Sequence, residues 1–275
     1  MGKFDGILIA TDLDATLLCD DKSITPENLS AIEYFKENGG TFTFITGRSI
    51  IVVGNIYDIV KPNAPVGCFN GGAIYDGEKG EFISRNTLPD EAMDLVRLVD
   101  EKMPDMAIEL CTYENSYFCK TNSSMERHIK SAGYRDLRCH YSEVKGPLAK
   151  ALFAHTDGSK LEELRTLFEK EPISEKFQFV RSFYEYLEML PKGLDKGKNL
   201  IEIAKIKGVD IRKTIGVGDN DNDLSLIKNA GIGVAVSNAT ENAKSVADII
   251  TVSNEESAIA KIIEDLDNGK ITFEV

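Results

Sequence analysis

Four short segments carry residue types that chemistry can use, each at the carboxyl end of an expected strand. The first is Thr11-Asp12-Leu13-Asp14-Ala15-Thr16, which follows the apolar run Gly6–Ala10. Two carboxylates at the exit of a buried strand are costly unless a cation compensates them. The second is Thr46-Gly47-Arg48, where Thr46 offers a hydroxyl and the peptide N–H groups that follow can face an anion. The third is Pro191-Lys192-Gly193-Leu194-Asp195-Lys196-Gly197-Lys198. A lysine at a helix start opposes the helix dipole, which favours Asp or Glu there, so a negative group nearby would explain it. The fourth is Gly218-Asp219-Asn220-Asp221-Asn222-Asp223. Carboxylate and amide oxygens without His or Cys suit a hard cation. Each segment also has an ordinary reading: a solvated Asx-rich turn, a Thr-capped turn into a helix, or a run of surface lysines.

The elements that must position these residues follow an alternating pattern. Gly6–Ala10 reads as a strand buried on both faces. Thr25 and Pro26 open a helix with an apolar stripe of Leu29, Ile32 and Phe35, and Gly39-Gly40 stops it. Thr41–Ile45 is the next strand, which completes a βαβ unit. In the last third, Asp195 caps a helix that runs to Lys207 and ends at Gly208. Strands are expected at Thr214–Val217, Gly233–Val236 and Asp248–Val252. Helices are expected at Asn222–Asn229, Glu241–Val246 and Glu256–Leu266. This is a doubly wound α/β pattern, whose ligands bind beyond the carboxyl ends of the strands. Residues 85–189 differ. They mix helix-like stretches (Asp90–Lys102, Lys160–Lys170) with strand-like ones (Ala107–Leu110, Tyr117–Lys120, Leu148–His155, Gln178–Arg181, Glu185–Leu190). An α+β insertion is expected there, with linkers near Ser84–Asn86 and Pro191–Gly193.

Composition limits the class of partner. The 275 residues carry 32 Lys and Arg against 45 Asp and Glu, a formal net charge of −13. Nucleic acid and anionic membrane demand clustered basic residues, so neither is expected as a partner. No apolar run approaches the roughly 18 residues that a membrane span needs. Met1-Gly2-Lys3-Phe4-Asp5 runs straight into a strand without a signal-peptide apolar region, so a cytoplasmic protein is expected. The cysteines at 19, 68, 111, 119 and 139 are odd in number and make no disulfide framework. Cys111, Cys119 and Cys139-His140 fit no usual zinc spacing, so buried or indifferent thiols are expected.

Taken together, the four segments resemble the motifs of the haloacid dehalogenase superfamily: Asp-x-Asp-x-Thr, a strand-terminal Thr-Gly-Arg, a Lys, and Gly-Asp-x-x-Asn-Asp. The large insertion is similar to that of the Cof-type branch. Asn70-Gly71-Gly72-Ala73 and Val236-Ser237-Asn238-Ala239 match short signatures of that branch. The resemblance runs from Ile7 to about Asn254. Two positions depart from it: Ala15 stands where Gly is usual, and Ser257 where the branch often has Gly.

The resemblance implies a Rossmann-like α/β core of residues 1–84 and 190–275, with an inserted α+β cap domain at 85–189. It implies an Mg²⁺-dependent phosphatase acting on a small phosphorylated molecule. Asp12 would be the nucleophile and Asp14 the general acid and base. Thr46, Gly47, Lys196 and Asn222 would hold the phosphoryl group. Mg²⁺ would be bound by Asp12, the carbonyl of Asp14, Asp219 and Asp223. Phosphomutase chemistry and a non-catalytic binding module on the same scaffold remain alternatives. Arg181, Tyr113, Tyr184 and His155 are cap candidates for substrate contact, each with an ordinary structural reading. Ala15 is expected at negative φ, where a methyl group is harmless.

Overall fold

The computed structural model describes residues 2–273. The chain begins with β1 (Leu8–Thr11), fully buried. Helix α1 (Pro26–Glu37) is capped by Thr25, whose hydroxyl accepts from Asn28 N. Pro26 at its first position has no amide hydrogen to leave unpaired. Then come β2 (Thr41–Phe44), α2 (Ile50–Val60), β3 (Val66–Cys68), β4 (Ala73–Asp76) and β5 (Glu81–Arg85). The inserted stretch contains α3 (Ala92–Lys102), β6 (Ala107–Thr112), β7 (Ser116–Lys120), α4 (Ser123–Ala132), β8 (Leu148–Ala154), α5 (Gly158–Glu169), β9 (Phe177–Phe183) and β10 (Tyr186–Pro191). The chain continues through α6 (Lys196–Lys207), β11 (Thr214–Gly218), α7 (Leu224–Asn229), β12 (Ile232–Ala235), α8 (Glu241–Val246), β13 (Ile249–Ile250) and α9 (Ala258–Asp267).

The chain divides into two compact units. One comprises Met1–Gly47, Asn55–Ser84 and Asp195–Val275; the other comprises Arg48–Gly54 and Arg85–Leu194. In the first unit, five parallel strands run in the order β13-β12-β11-β1-β2. A parallel bridge from Ile45 to Gly67 brings in the small sheet β3-β4-β5. Leu8 and Ala10 pack against Leu200, Ile203 and Ala204 of α6 and Leu226 of α7. Ile9 points to the opposite face and is equally buried, so the central strand is covered on both sides. The α/β class expected from the alternation is the class observed.

The second unit is built on an antiparallel sheet in the order β7-β6-β8-β10-β9. One face presents Ile108, Leu110, Phe153, Leu187 and Met189 to Leu95 and Val99 of α3 and to Leu161, Leu164 and Phe168 of α5. The other carries buried polar groups. His128 Nε2 lies 3.1 Å from Glu109 Oε2, Cys111 Sγ donates to Glu109 Oε1, and Lys150 Nζ pairs with Glu188 Oε1 at 3.1 Å.

Some local expectations are corrected. Ser84 and Arg85 close strand β5 rather than forming a linker. The strand expected at Asp248–Val252 contracts to two residues. The helix expected from Asn222 begins as a 3₁₀ turn, Asp221–Asp223, before α7. Helices α2 and α4 and strands β3, β4 and β5 had not been anticipated.

Glu109 gives the insertion a pH signature. Burial alone would raise its carboxyl, but His128, then Lys150, outweigh burial and hold it down at about 2. A depressed carboxylate adds stability that is fully present above its unfolded value, ~4.3, and is lost as the pH falls toward its folded one. Glu109→Gln is therefore expected to flatten the acid limb of stability between about pH 4.5 and pH 2. Urea midpoints across that range check it, and identical limbs for the two proteins would refute it.

Candidate active site

The site starts from strand register. Thr11 of β1 lies level with Val217 of β11 and with Phe44 of β2, so the three strands end together. Asp12 N donates to Val217 O at 2.9 Å, and Ile45 N donates to Thr11 O at 2.9 Å. The loops after β1, β2 and β11 are thereby brought side by side. Gly218, the last residue of β11, permits close approach: a Cβ there would lie 2.4 Å from Asp223 Cβ.

Helix α6 delivers Lys196 to the same place. Asp195 caps the helix, accepting from Lys198 N at 2.8 Å, and Gly197 N donates to Ser225 Oγ at 3.1 Å. Lys196 is fully buried, and its Nζ lies 2.7 Å from Asp12 Oδ1 and 2.5 Å from Asp223 Oδ1. Burial would lower this ammonium, but Asp12 and Asp223 together keep it charged and raised. The negative group that its place on the helix called for is this pair of carboxylates.

Asp219 completes the cluster. Its Oδ1 accepts from Thr16 Oγ1 at 2.9 Å, and its backbone N donates to Asp223 Oδ2 at 3.0 Å. Asp12, Asp219 and Asp223 each offer an oxygen, and these atoms all lie within 4.8 Å of one another. Three carboxylates face one ammonium. Burial, then the charge of Asp223, raises the Asp12 carboxyl well above its ordinary range. The same two causes, in the same order, bring Asp219 to about 7. An oxygen-only donor set with surplus negative charge fits a hard divalent cation. Both oxygens of Asp223 already accept hydrogen bonds, from Lys196, Asp219 N and Asn220 N.

The remaining expected residues fall as follows. Asp14 stands apart from the three-carboxylate cluster: its carboxylate pairs with Lys22 at 3.0 Å, and both side chains are half exposed. Thr46 is buried at the end of β2; its N donates to Gly67 O and its O accepts from Asn70 N. A Cβ on Gly47 would lie 2.8 Å from Asn70 Nδ2, so only glycine lets Asn70 come this close. Asn222 Nδ2 donates to Asn70 Oδ1 at 3.1 Å, which ties the fourth motif to the neighbourhood of the second. Asn70 and Thr16 are thus members of the constellation to which the sequence reading gave no role. Both stand inside quoted motifs, which was the available signal. The four candidates for substrate contact have partners within the insertion. Arg181 pairs with Glu162 and lies over the Tyr184 ring, Tyr113 is buried beneath Arg85, and His155 Nδ1 accepts from Asp157 N.

Comparison with known proteins gives the family. The chain matches the haloacid dehalogenase-like hydrolase family over residues 9–263. It belongs to that family, in its Cof-type branch, a family of phosphatases. It is 25% identical over 267 residues to a pyridoxal phosphate phosphatase of Escherichia coli, covering 93% of this chain and 97% of the relative. It is 27% identical to a phosphoglycolate phosphatase of Methanopyrus kandleri over 267 residues, covering 94% of this chain and 98% of that one. A solved haloacid dehalogenase-like hydrolase from Bacteroides thetaiotaomicron superposes with a TM-score of 0.85 at 27% identity, covering 94% and 99% of the two chains. Among the described residues, no helix is long and apolar enough to cross a membrane.

The expectation for Ala15 is overturned: its φ is +54°, in the left-handed region. Its carbonyl is held from outside the loop. Asn238 Nδ2 donates to Ala15 O at 2.8 Å, while Asn238 Oδ1 accepts from Asn254 N. Asn254 Nδ2 reaches back to Leu18 O at 3.1 Å. These contacts fix a turn that alanine disfavours by about 1–2 kcal/mol. Ala15→Gly removes that strain but loosens the unfolded chain, which takes back roughly 0.4–1 kcal/mol. A net gain of about 0.5–1 kcal/mol is expected in urea unfolding of the variant. A loss of stability would show that the methyl group makes a favourable contact.

Proposed function

We propose that the protein is an Mg²⁺-dependent phosphatase that hydrolyses a small phosphate monoester through an aspartyl phosphate on Asp12. The observation that carries this reading is the buried Lys196 ammonium between Asp12 and Asp223, with Asp219 beside them, at the ends of adjacent parallel strands. In this reading residues 1–84 and 190–275 are the hydrolase core and residues 85–189 are its cap domain. Relatives named for pyridoxal phosphate and phosphoglycolate support a small substrate.

Asp12 attacks phosphorus and the ester oxygen leaves, protonated by Asp14. Asp14 then takes a proton from the water that opens the aspartyl phosphate. Its half-exposed position beside Lys22 is reachable by both leaving group and water. Lys196 works against the burial that opposes ionisation of Asp12, and with Thr46 and the peptide after Gly47 it holds the phosphoryl oxygens. Asn222, tethered by Asn70, stands with them. Asp12, the Asp14 carbonyl and Asp219 are the proposed Mg²⁺ ligands, with Asp223 directly or through water. When bound, the ion offsets the repulsion between an anionic nucleophile and an anionic phosphate.

Hydrolysis of an aryl phosphate is expected to need Mg²⁺ and to stop in EDTA. Full activity in chelator would overturn the metal assignment. Inactivity on every phosphate monoester tried would overturn the enzymatic reading in favour of a binding module.

The two carboxylates are expected to separate by role. Asp12→Asn should abolish the covalent phosphoenzyme. Asp14→Asn should lower kcat by about 10²–10⁴ while phosphate-analogue binding persists. Radiolabel trapping and steady-state kinetics check both, and near-normal turnover by Asp12→Asn would place the nucleophile elsewhere.

A further inference from the structure

Two cysteines of the insertion lie side by side. Cys119 belongs to β7, and Cys139 to the segment that follows α4. An isolated parallel bridge matches Phe118 with Arg138, and Phe118 N donates to Leu137 O at 2.8 Å. Carried on by one residue, that register sets Cys139 beside Cys119. Matched residues of parallel strands point to the same side, with the strands about 4.8 Å apart. That spacing lies within the range of about 4.4–6.8 Å that a disulfide spans between Cα atoms. The two thiols are within hydrogen-bonding reach of each other.

The pair is held in place without a covalent bond. Arg138 Nε pairs with Asp136 at 2.8 Å, and Arg138 Nη2 pairs with Glu126 of α4 at 2.9 Å. Cys119 packs against the core of the insertion, and both cysteines retain partial exposure. The other three are buried: Cys19 faces Asn254 O, Cys111 bonds Glu109, and Cys68 lies in β3.

We propose that Cys119 and Cys139 form a modification site, a reversible disulfide made by exchange with a small-molecule disulfide. The Cys139 thiolate attacks one sulfur of the reagent; that S–S bond breaks and one thiolate leaves. The Cys119 thiolate then attacks Cys139 Sγ, and the second reagent thiol departs. The protein loses two electrons and two protons, and the reagent gains them as two thiols. Burial pushes both thiols up, Cys119 to about 12, so the first step is slow near neutral pH. The second is intramolecular and gains from proximity. The link closes a loop through α4 and ties the segment after it to β7.

The test uses the full chain and oxidised glutathione at about pH 8.5, near the ordinary thiol pKa. Intact mass and a non-reduced digest are read. The expected product has lost two hydrogens, yields a peptide pair joined through Cys119 and Cys139, and reverts in dithiothreitol. Cys119→Ser should instead hold glutathione on Cys139, and Cys139→Ser should give no link. A stable glutathione adduct on Cys139 of the unaltered protein, a link to any other cysteine, or five unmodified thiols would each overturn the proposal.

Discussion

The buried ion triad of Asp12, Lys196 and Asp223 is the constraint on which the rest of the site depends. A fully buried ammonium is tolerable only when its charge is answered, and here two carboxylates answer it at 2.7 and 2.5 Å. These residues come from the end of β1, the start of α6 and the turn after β11. The triad can close only if the two strands end level and the helix begins beside them. Removing the lysine would leave two buried carboxylates facing each other, and removing either carboxylate would loosen the other. Yet the triad is not neutral. Asp219 adds a third negative charge, and the raised carboxyls of Asp12 and Asp219 register the surplus. The fold holds a repulsion at its site that a bound cation would relieve.

Backbone strain beside this cluster follows a similar logic. Both positions where the sequence resemblance leads one to expect glycine are left-handed: Ala15 at φ +54° and Ser257 at +62°. Ser257 has compensation of its own, because its hydroxyl meets Thr25 Oγ1 at 2.8 Å, joining the start of α9 to the cap of α1. Ala15 has no polar atom beyond its backbone, and the compensation comes from Asn238. The loop that supplies Asn238 also reaches the fourth motif, since Thr240 N donates to Asp219 O at 2.8 Å. One short loop thus holds both carboxylate-bearing turns, which sets their separation independently of the strands.

The sequence made some of this legible and hid the rest for physical reasons. Helices α1 and α6 were read closely because Thr25 and Asp195 cap them, and Gly208 ends α6 in a left-handed turn. The charged members of the site were legible because unpaired carboxylates at strand exits are expensive wherever they occur. Strands β3 to β5 escaped notice because three to five residues, broken by Gly67, Gly77 and Gly80, show too little period. Helix α4 has a sound cap in Asn122 and a stop in Gly133, but its apolar stripe is only Met125 and Ile129, too short to stand out. Asn70, Thr16 and Asn238 act through hydrogen bonds to residues far away in sequence, which no local pattern encodes. The sign of φ at Ala15 was unreadable for a simpler reason: alanine tolerates either region, one of them at a cost.

The insertion shows how buried charge can serve a fold without stabilising it much. Its sheet has an apolar face against α3 and α5 and an opposite face bearing Glu109, Cys111, Lys150 and Glu188. A buried ion pair such as Lys150–Glu188 does about as well as apolar residues of the same size. Its effect lies in register. Cys111 stands opposite Lys150, and Leu152 stands between Glu109 and Glu188 on the neighbouring strands. Side chains alternate along a strand, so a slip of one residue in β6, β8 or β10 would turn a charge into the Leu164 and Phe168 layer. The partner charge would stay behind, and a buried charge without its partner costs several kcal/mol, roughly 3–5 when an existing pair is broken. The apolar face alone would leave neighbouring registers closer in energy. The charged face separates them, and it does so with residues that a composition count would assign to the surface.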